Sequence, residues 1–214
     1  MRSTQQDLTT KARIRDAAIV VFGEQGFTAG VRAIATAAGV SPGLVIHHFG
    51  SKDGLREVCD DFVLDEIRRA KTDFLQTPSV DRMFTELAAV EKYAPLVGYL
   101  VRSFQASGRV AAQLFDHMVA DTAAYLEAGV AAGTVKPSRD PQARARMSAL
   151  WGLGAMLLYL QIHEGEDFAT VLGRYTAEVS FPALELYTQG ILTDSSLFDG
   201  LVAARDNNSD KESA

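Results

Sequence analysis

The stretch that most constrains the fold is residues 27–52, FTAGVRAIATAAGVSPGLVIHHFGSK. Its first apolar residues recur with the spacing of one helical face, namely Val31, Ile34, Ala35 and Ala38. Gly39 is placed to end that helix, and Ser41 can cap a second helix whose first position is Pro42, where no amide is needed. Two short helices joined by a tight turn predict a helix-turn-helix, a motif that reads DNA.

The second helix of this motif has an inner and an outer face. Its spacing predicts that Val45 and Phe49 face inward, whereas the opposite side and its flanks carry Gly43, Leu44, Ile46, His47 and His48. Residues 42–49 include no Arg, Asn or Gln, the usual bidentate readers of guanine and adenine. We therefore expect contacts to thymine methyl groups, donors from the two histidines and a contribution from DNA shape.

Charge is distributed unevenly along the chain. The net charge of −6 argues by itself against a nucleic-acid partner. Residues 1–56, however, carry seven Lys or Arg against four Asp or Glu, and the remaining residues carry 14 against 23. A basic head on an acidic body favours local phosphate binding, although a chance fluctuation of a few charges explains the asymmetry equally well.

Composition limits the compartment and the chemistry. The single Cys59 excludes an internal disulfide and fits a reducing cytoplasm. The most apolar stretch, residues 147–162, falls short of the ~20 residues that cross a bilayer, and no secretory signal opens the chain. The adjacent His47 and His48 point about 100° apart on a helix, which disfavours a metal site. We expect a cytoplasmic protein without cofactor, metal or catalytic residues, and with no membrane partner.

The rest of the chain is helical in pattern, without sustained strand alternation. A first helix ends at Gly26, and a long helix after Lys52 can connect head to body. Pro and capping signals then predict helices at residues 79–90, 95–107, 109–132, 141–165, 168–189 and 194–205. Pro182 should kink or split the helix at 168–189. The predicted all-α fold has a head at 1–53, a body at 54–205 and a disordered tail at 206–214.

Residues 10–64, about a quarter of the chain, resemble the DNA-binding domain of the TetR family of bacterial transcriptional regulators. The residues that carry the resemblance are Thr10-Lys11-Ala12-Arg13-Ile14, Ala17-Ala18, Phe22, Gly26-Phe27, Val31-Arg32, Ile34-Ala35, Ala38-Gly39-Val40-Ser41, Gly43, His47, Phe49 and Ser51-Lys52. The resemblance implies a transcriptional regulator, most simply a repressor that a small effector releases from its operator. An all-helical small-molecule-binding protein or enzyme without a DNA role is the alternative.

Two positions depart from the family's pattern. Gly30 and Val31 stand where a Thr or Ser is usual, and Ile46 replaces a common aromatic residue that touches the phosphate backbone. Anchoring must therefore depend on Arg32, Lys52 and the backbone around the start of the second helix. The expected DNA-binding residues are Arg32, Ser41, Pro42, Gly43, Leu44, Ile46, His47, His48 and Lys52.

The body is expected to serve dimerisation and effector binding, as the resemblance implies. Apolar helices at about 142–163 and 168–189 predict a homodimer through a four-helix interface, although some of these residues must form internal core. A small apolar or amphipathic effector would be bound by aromatic and polar side chains of the body, which are equally consistent with plain core. The candidates are Tyr93, Tyr99, Phe104, Gln105, Phe115, His117, Met118, Trp151 and Tyr159.

Overall fold

The computed structural model describes residues 2–106 and 108–212, with side-chain surroundings from residue 9 to residue 206. These residues form ten α-helices and a 3₁₀ turn at Val90–Tyr93, and none of them lies in a strand, which confirms the predicted all-α fold. The helices are α1 (Arg2–Gln25), α2 (Val31–Ala38), α3 (Pro42–Phe49), α4 (Lys52–Gln76), α5 (Val80–Ala88), α6 (Ala94–Gln105), α7 (Arg109–Ala131), α8 (Pro141–Ile162), α9 (Phe168–Gln189) and α10 (Ser196–Glu212).

Side-chain caps fix where several body helices begin. The Ser79 hydroxyl accepts from the Arg82 amide at 3.2 Å, and the Asp140 carboxylate accepts from the Ala143 amide at 2.9 Å. Asp167 caps α9 in the same way, by accepting from the Thr170 amide at 3.0 Å. These bonds satisfy amides that the helix itself leaves without a partner, so the starts lie where the sequence predicts them.

Three element boundaries differ from the expectations. Pro182 lies inside a continuous α9, because losing one amide does not remove the hydrogen bonds of its neighbours, so the helix is not split. Helix α8 ends at Ile162, ahead of Gly165. Helix α10 continues to Glu212, so residues 206–212 of the expected disordered tail are helical, and residues 213–214 lie outside the described residues.

Residue contacts divide the chain into two compact units, Met1–Tyr175 and Thr176–Ala214. Within the first unit one buried cluster passes from the head into the body without a break at residue 53. It includes Phe22 and Val45 of the head, Leu55 of α4 and Tyr99 of α6. The head is therefore packed directly on the body rather than tethered to it.

The crossing of α1 and α6 holds the head in place. A Cβ atom added to Gly23 would lie 3.2 Å from the Tyr99 amide nitrogen, so the two helices approach closely there. The Arg102 guanidinium donates from Nε to the Gly23 carbonyl at 3.2 Å and from Nη2 to the Glu24 carbonyl at 3.4 Å. These donors satisfy carbonyls at the C-terminal end of α1, where the helix lacks its own partners.

None of the helices in the described part of the chain combines the length and the apolar character that a membrane span needs. Small side chains allow α7 and α8 to pack together, with Val119 and Ala123 against Ala145 and Ala149. The longest apolar stretch of the sequence is thus part of a helix that packs in the body.

Candidate nucleic-acid interface

The turn between α2 and α3 is closed by a left-handed glycine. Gly39 has φ 64° and ψ 40°, a conformation that costs a glycine little because it has no Cβ atom. Its amide donates to the Thr36 carbonyl at 3.1 Å, and the Val40 amide donates to the Ala35 carbonyl at 2.9 Å. The last carbonyls of α2 are thereby satisfied, and the chain reverses directly into α3.

Helices α3 and α4 both begin with a serine side-chain cap. The Ser41 hydroxyl accepts from the Leu44 amide at 3.2 Å, with Pro42 at the first helical position. The Ser51 hydroxyl accepts from the Gly54 amide at 2.9 Å. A Cβ atom at Gly54 would lie 2.4 Å from the Phe49 carbonyl oxygen, so this short connection requires glycine. Helix α3 is consequently fixed at both ends.

The inner face of α3 packs on the core of the head. Val45 is fully buried in the cluster that contains Ile34 and Ala38 of α2, and Phe49 is partly buried against the same cluster. The Lys11 Nζ of α1 lies 5.5 Å from the centroid of the Phe49 ring. Val45 and Phe49 therefore face inward, as predicted. The positive charge of Lys11 lies beside the end of α3, and the sequence did not indicate this position.

The outer face of α3 is open to solvent. Pro42, Gly43 and His47 are exposed, and Ile46 keeps 42% of its surface accessible, whereas Leu44 and His48 are half-buried. The His48 ring lies 5.5 Å from that of His47 and 6.3 Å from that of Phe49, measured between ring centroids. His47 is thus the more accessible histidine, as helical geometry predicts.

Arg32 stands in the first turn of α2 with an exposed side chain. Its carbonyl accepts from the Thr36 hydroxyl at 3.0 Å, and in the described part of the chain its guanidinium makes no hydrogen bond or ion pair. The five N–H donors of this group are available to a partner outside the protein.

The Lys52 ammonium group is hydrogen-bonded within the protein, unlike that of a lysine whose only role is to contact a phosphate. Its half-buried side chain donates from Nζ to the Phe27 carbonyl at 2.8 Å and to the Ala29 carbonyl at 3.4 Å. These bonds tie the start of α4 to the loop between α1 and α2, which positions the helix-turn-helix. The acceptors lie 25 and 23 residues away along the chain, and no local pattern of the sequence indicates them.

The nine candidate effector residues lie in several environments. Tyr99 is fully buried at the junction of α1, α4 and α6, where its hydroxyl donates to Asp60 Oδ1 at 2.7 Å. The rings of Phe104 and Phe115 meet edge to face at 6.4 Å, and Met118 packs in the same region of the core. These four residues are core residues of the first unit, the plain alternative that the sequence leaves open.

Of the other five candidates, Tyr93 and Tyr159 are half-buried and Gln105 is exposed. The Tyr93 hydroxyl donates to Glu86 at 2.8 Å, the Tyr159 ring stacks on His163 at 4.3 Å between centroids, and Gln105 Oε1 accepts from Arg102 at 3.2 Å. Trp151 and His117 are exposed. A cleft of about 580 Å³ near the end of α1 includes Gln105 and no other member of the predicted set.

Burial governs the ionisation of groups at the junction of head and body. Burial raises the pKa of the Asp60 carboxyl above its ordinary 3.8, although the Tyr99 hydrogen bond and the Arg56 charge oppose that shift. Burial also raises the pKa of the Tyr99 hydroxyl, which stays protonated and donates. The pKa of the Cys59 thiol rises to about 12, chiefly through burial and then through Asp60, so the thiol is neutral.

Among the residues that the structure describes, no group of three His, Cys, Asp or Glu side chains has a metal-binding arrangement. The interface around α3 therefore consists of an exposed helix face, the Arg32 guanidinium and nearby positive charge. Such a surface can enter a groove of duplex DNA and contact bases and phosphates directly.

Comparisons with known proteins agree with this geometry. The family model described as "Bacterial regulatory proteins, tetR family" matches residues 14–59, which include α2, α3 and their turn. A second model, "Tetracyclin repressor-like, C-terminal domain", matches residues 91–193 of the body. The predicted resemblance at residues 10–64 is confirmed at the level of the family.

Several regulators are similar to this chain, one of them in sequence and the others in fold alone. The HTH-type transcriptional regulatory protein RaaS of Mycobacterium tuberculosis is 52% identical over 204 residues, which are 95% of either chain. A TetR transcriptional regulator of Chloroflexus aurantiacus is 20% identical with a TM-score of 0.56, over 86% of this chain and 98% of that one. FadR of Bacillus subtilis, solved with stearoyl-CoA, is 19% identical with a TM-score of 0.53, over 85% and 99%. The chain belongs to the tetR family of bacterial transcriptional regulators.

Proposed function

We propose that two copies of this chain bind an operator through α3 and repress transcription until a small effector releases them. The observation that carries the proposal is the solvent-exposed outer face of α3, which a buried Val45 and two serine caps hold in a fixed orientation. A helix fixed on its core by one face can present the other to the major groove without ordering cost on binding.

The outer face is suited to a site rich in thymine. Ile46 and Leu44 offer apolar contacts to thymine methyl groups, and Gly43 permits close approach of the backbone. Pro42, Gly43 and Ser41 place the positive end of the helix near a phosphate. His47 and His48 supply donors, and Arg32 supplies the bidentate reader that α3 lacks.

Lys52 takes a positioning role in this proposal. Its ammonium group is hydrogen-bonded to the Phe27 and Ala29 carbonyls, so it orients the loop before α2 and the Arg32 that follows. An ammonium group has three N–H donors, and the two carbonyls occupy two of them, so a phosphate contact of Lys52 would use the third. The backbone anchoring that the sequence assigns to Lys52 is therefore shared with its structural role.

The proposed homodimer is supported by apolar surface on α8 and α9, within the helices expected from the sequence at about 142–163 and 168–189. Helix α8 exposes Met147, Leu150, Trp151, Leu158 and Ile162, which recur at helical spacing along one face. Helix α9 exposes Phe181, Leu184 and Tyr187. Each of these apolar faces is typical of a protein interface, and a second copy would cover each with an apolar face of its own.

The body is proposed to bind a small apolar or amphipathic effector in the cytoplasm. FadR, which shares the fold, was solved in complex with stearoyl-CoA, so a protein of this fold can bind a ligand. The effector releases DNA only to the extent that it binds better to the dimer whose heads do not fit the operator. We further propose that the chain has no enzymatic activity of its own.

Selection of DNA from a random pool by the purified protein tests the proposal. We expect an enriched palindrome whose half-sites are separated by about one helical turn or a multiple of it. Affinity for this site should fall steeply between 50 and 200 mM salt, because phosphate contacts release counterions. A role in reading DNA would be contradicted if no sequence were enriched, or if the affinity did not depend on the salt concentration.

A further inference from the structure

A cleft of about 580 Å³ opens in the first unit where the end of α1, one side of α6 and the segment that joins α8 to α9 meet. Its walls include small and apolar groups, among them Gly98, Val101 and Phe168. A Cβ atom at Gly98 would lie 3.5 Å from the Phe168 ring, so the two residues are neighbours in the apolar floor of the cleft. The volume suits a small organic molecule.

The rim of the cleft is acidic. Glu166 is neutralised by Arg174, whose Nη2 lies 2.7 Å from Glu166 Oε2, and Asp167 accepts from the Thr170 amide as the cap of α9. The carboxylates of Glu24 and Glu164 belong to residues that line the cleft, and they make no hydrogen bond or ion pair within the described residues. Two carboxylates beside an apolar floor therefore lack a cation.

Among the described residues that line the cleft, Arg102 supplies the guanidinium, and three of its five N–H donors are already engaged. Nε and Nη2 donate to the Gly23 and Glu24 carbonyls, and Nη1 donates to Gln105 Oε1. This arrangement orients the guanidinium toward the end of α1 rather than toward an anion in the cleft. Two of its N–H groups remain and His163 also lines the cleft, but a negatively charged ligand would still meet the unpaired carboxylates of Glu24 and Glu164.

We propose that this cleft binds an organic cation, an amine carried on a compact apolar body. The apolar part packs on Val101 and Phe168, and the ammonium group lies between Glu24 and Glu164, where Coulomb attraction is strongest. Recognition of this kind combines burial of apolar surface with pairing of a charge at the rim.

A ligand in the cleft contacts head and body together. Glu24 belongs to α1, which shares its core with the helix-turn-helix, whereas Glu164 belongs to the segment between α8 and α9. An amine that bridges them stabilises the present arrangement of α1 relative to the body. It alters operator affinity to the extent that it binds this arrangement more tightly than one in which α1 has moved. This regulatory consequence rests on the proposed function, while binding itself does not.

Calorimetric titration of the full chain in the absence of DNA tests the binding. The probes are 4-phenylbutylamine, 4-phenylbutanol and 4-phenylbutyrate, which share an apolar body and differ in charge. We expect the amine to bind about ten times more tightly than the alcohol, and the carboxylate to bind more weakly than either. Equal affinities, or a preference for the carboxylate, would overturn the proposal.

Charge variants locate the binding. Glu24→Gln and Glu164→Gln should each weaken amine binding by about three- to ten-fold and leave alcohol binding unchanged, because both variants keep the shape of the side chain. Glu178→Gln, at an exposed position of α9 outside the cleft, should bind the amine as the unchanged chain does. Wild-type amine affinity in the double variant Glu24→Gln and Glu164→Gln would show that the amine binds elsewhere.

The regulatory consequence needs a separate measurement. Operator affinity in a gel-shift assay should change when the amine saturates the unchanged chain and should stay constant in the double variant. An operator affinity that the amine does not alter would contradict the bridging of head and body. Failure to bind any DNA sequence would instead contradict the proposed function, and the calorimetric result would stand.

Discussion

Lys52 and Lys11 both bring a positive charge to the head, but their ammonium groups contact different things. Lys52 donates to two carbonyls of the loop before α2 from a half-buried position. Lys11 is exposed on α1, with its Nζ 5.5 Å from the Phe49 ring at the end of α3. The first charge therefore stabilises the fold, and the second is free to meet a phosphate.

Replacing each lysine by methionine separates these roles. Lys52→Met should lower the free energy of unfolding in urea by about 1 to 3 kcal/mol, because two carbonyls lose a charged donor. Lys11→Met should change that free energy by no more than about 0.5 kcal/mol and should reduce the salt dependence of operator binding by about one counterion per subunit. Unchanged stability in Lys52→Met would contradict its positioning role.

Arg32 is expected to give the strongest base contact of the head. Arg32→Ala should weaken operator binding by about 10- to 100-fold and relax selectivity at one base pair per half-site, since a bidentate contact is lost. Arg109→Ala, at an exposed arginine of α7, is the matched control and should bind as the unchanged chain does. Gel-shift titration on operators with single substitutions measures both effects, and uniform loss across all operators would point to a phosphate contact instead.

At the scale of elements, the contact between α4 and α6 contains an ionisable group. Asp60 of α4 accepts from the Tyr99 hydroxyl of α6 at 2.7 Å and has Arg56 Nε at 3.9 Å. Burial nevertheless raises the pKa of Asp60 above its ordinary 3.8. The protonated form is therefore favoured in the folded state, and the contribution of Asp60 to stability is largest at low pH.

The sign of this effect can be measured. The contribution of Asp60 should be fully present below its unfolded pKa near 3.8 and should be lost as pH rises through the higher folded value. Asp60→Asn lacks this titration, so its stability relative to the unchanged chain should increase between pH 4 and 7 in urea denaturation. Asp81→Asn, at an exposed position of α5 whose charge does not act on Asp60, is the control. A relative stability that falls over this range would mean that pairing outweighs burial.

At the scale of the whole molecule, the apolar face of α8 has a consequence for assembly. Leu158 exposes 66% of its surface in the single chain, so a charge there costs the isolated fold little. In a dimer built on α8 and α9 the same position is covered, and two carboxylates would be buried near each other without partners. The substitution therefore distinguishes an interface from an ordinary surface.

Leu158→Glu should yield a folded monomer in sedimentation velocity experiments at concentrations where the unchanged chain is a dimer. Because one head contacts few phosphates, operator affinity should fall by more than about 100-fold in the same variant. Val80→Glu, at a position of α5 that is 69% exposed, should leave both properties unchanged. A dimeric Leu158→Glu chain would place the interface elsewhere.

The helix-turn-helix was predictable because its signals are local. Helical spacing, the left-handed Gly39, the Ser41 cap and Pro42 act within a few residues, and the structure places Val45 inward and His47 outward accordingly. The same kind of signal predicts the starts of the body helices at Ser79, Asp140 and Asp167. The family was recognisable for the same reason, since the motif's residues keep their order and spacing.

Contacts between residues that are distant in the sequence could not be predicted from local patterns. Those patterns indicate an all-α chain with a DNA-reading motif, but Lys52 meets its carbonyl partners only after α4 folds against the loop before α2. Tyr99, a candidate for an effector pocket, is core because α6 crosses α1 at Gly23. Helical periodicity reports which face of a helix is apolar and cannot report which element covers that face.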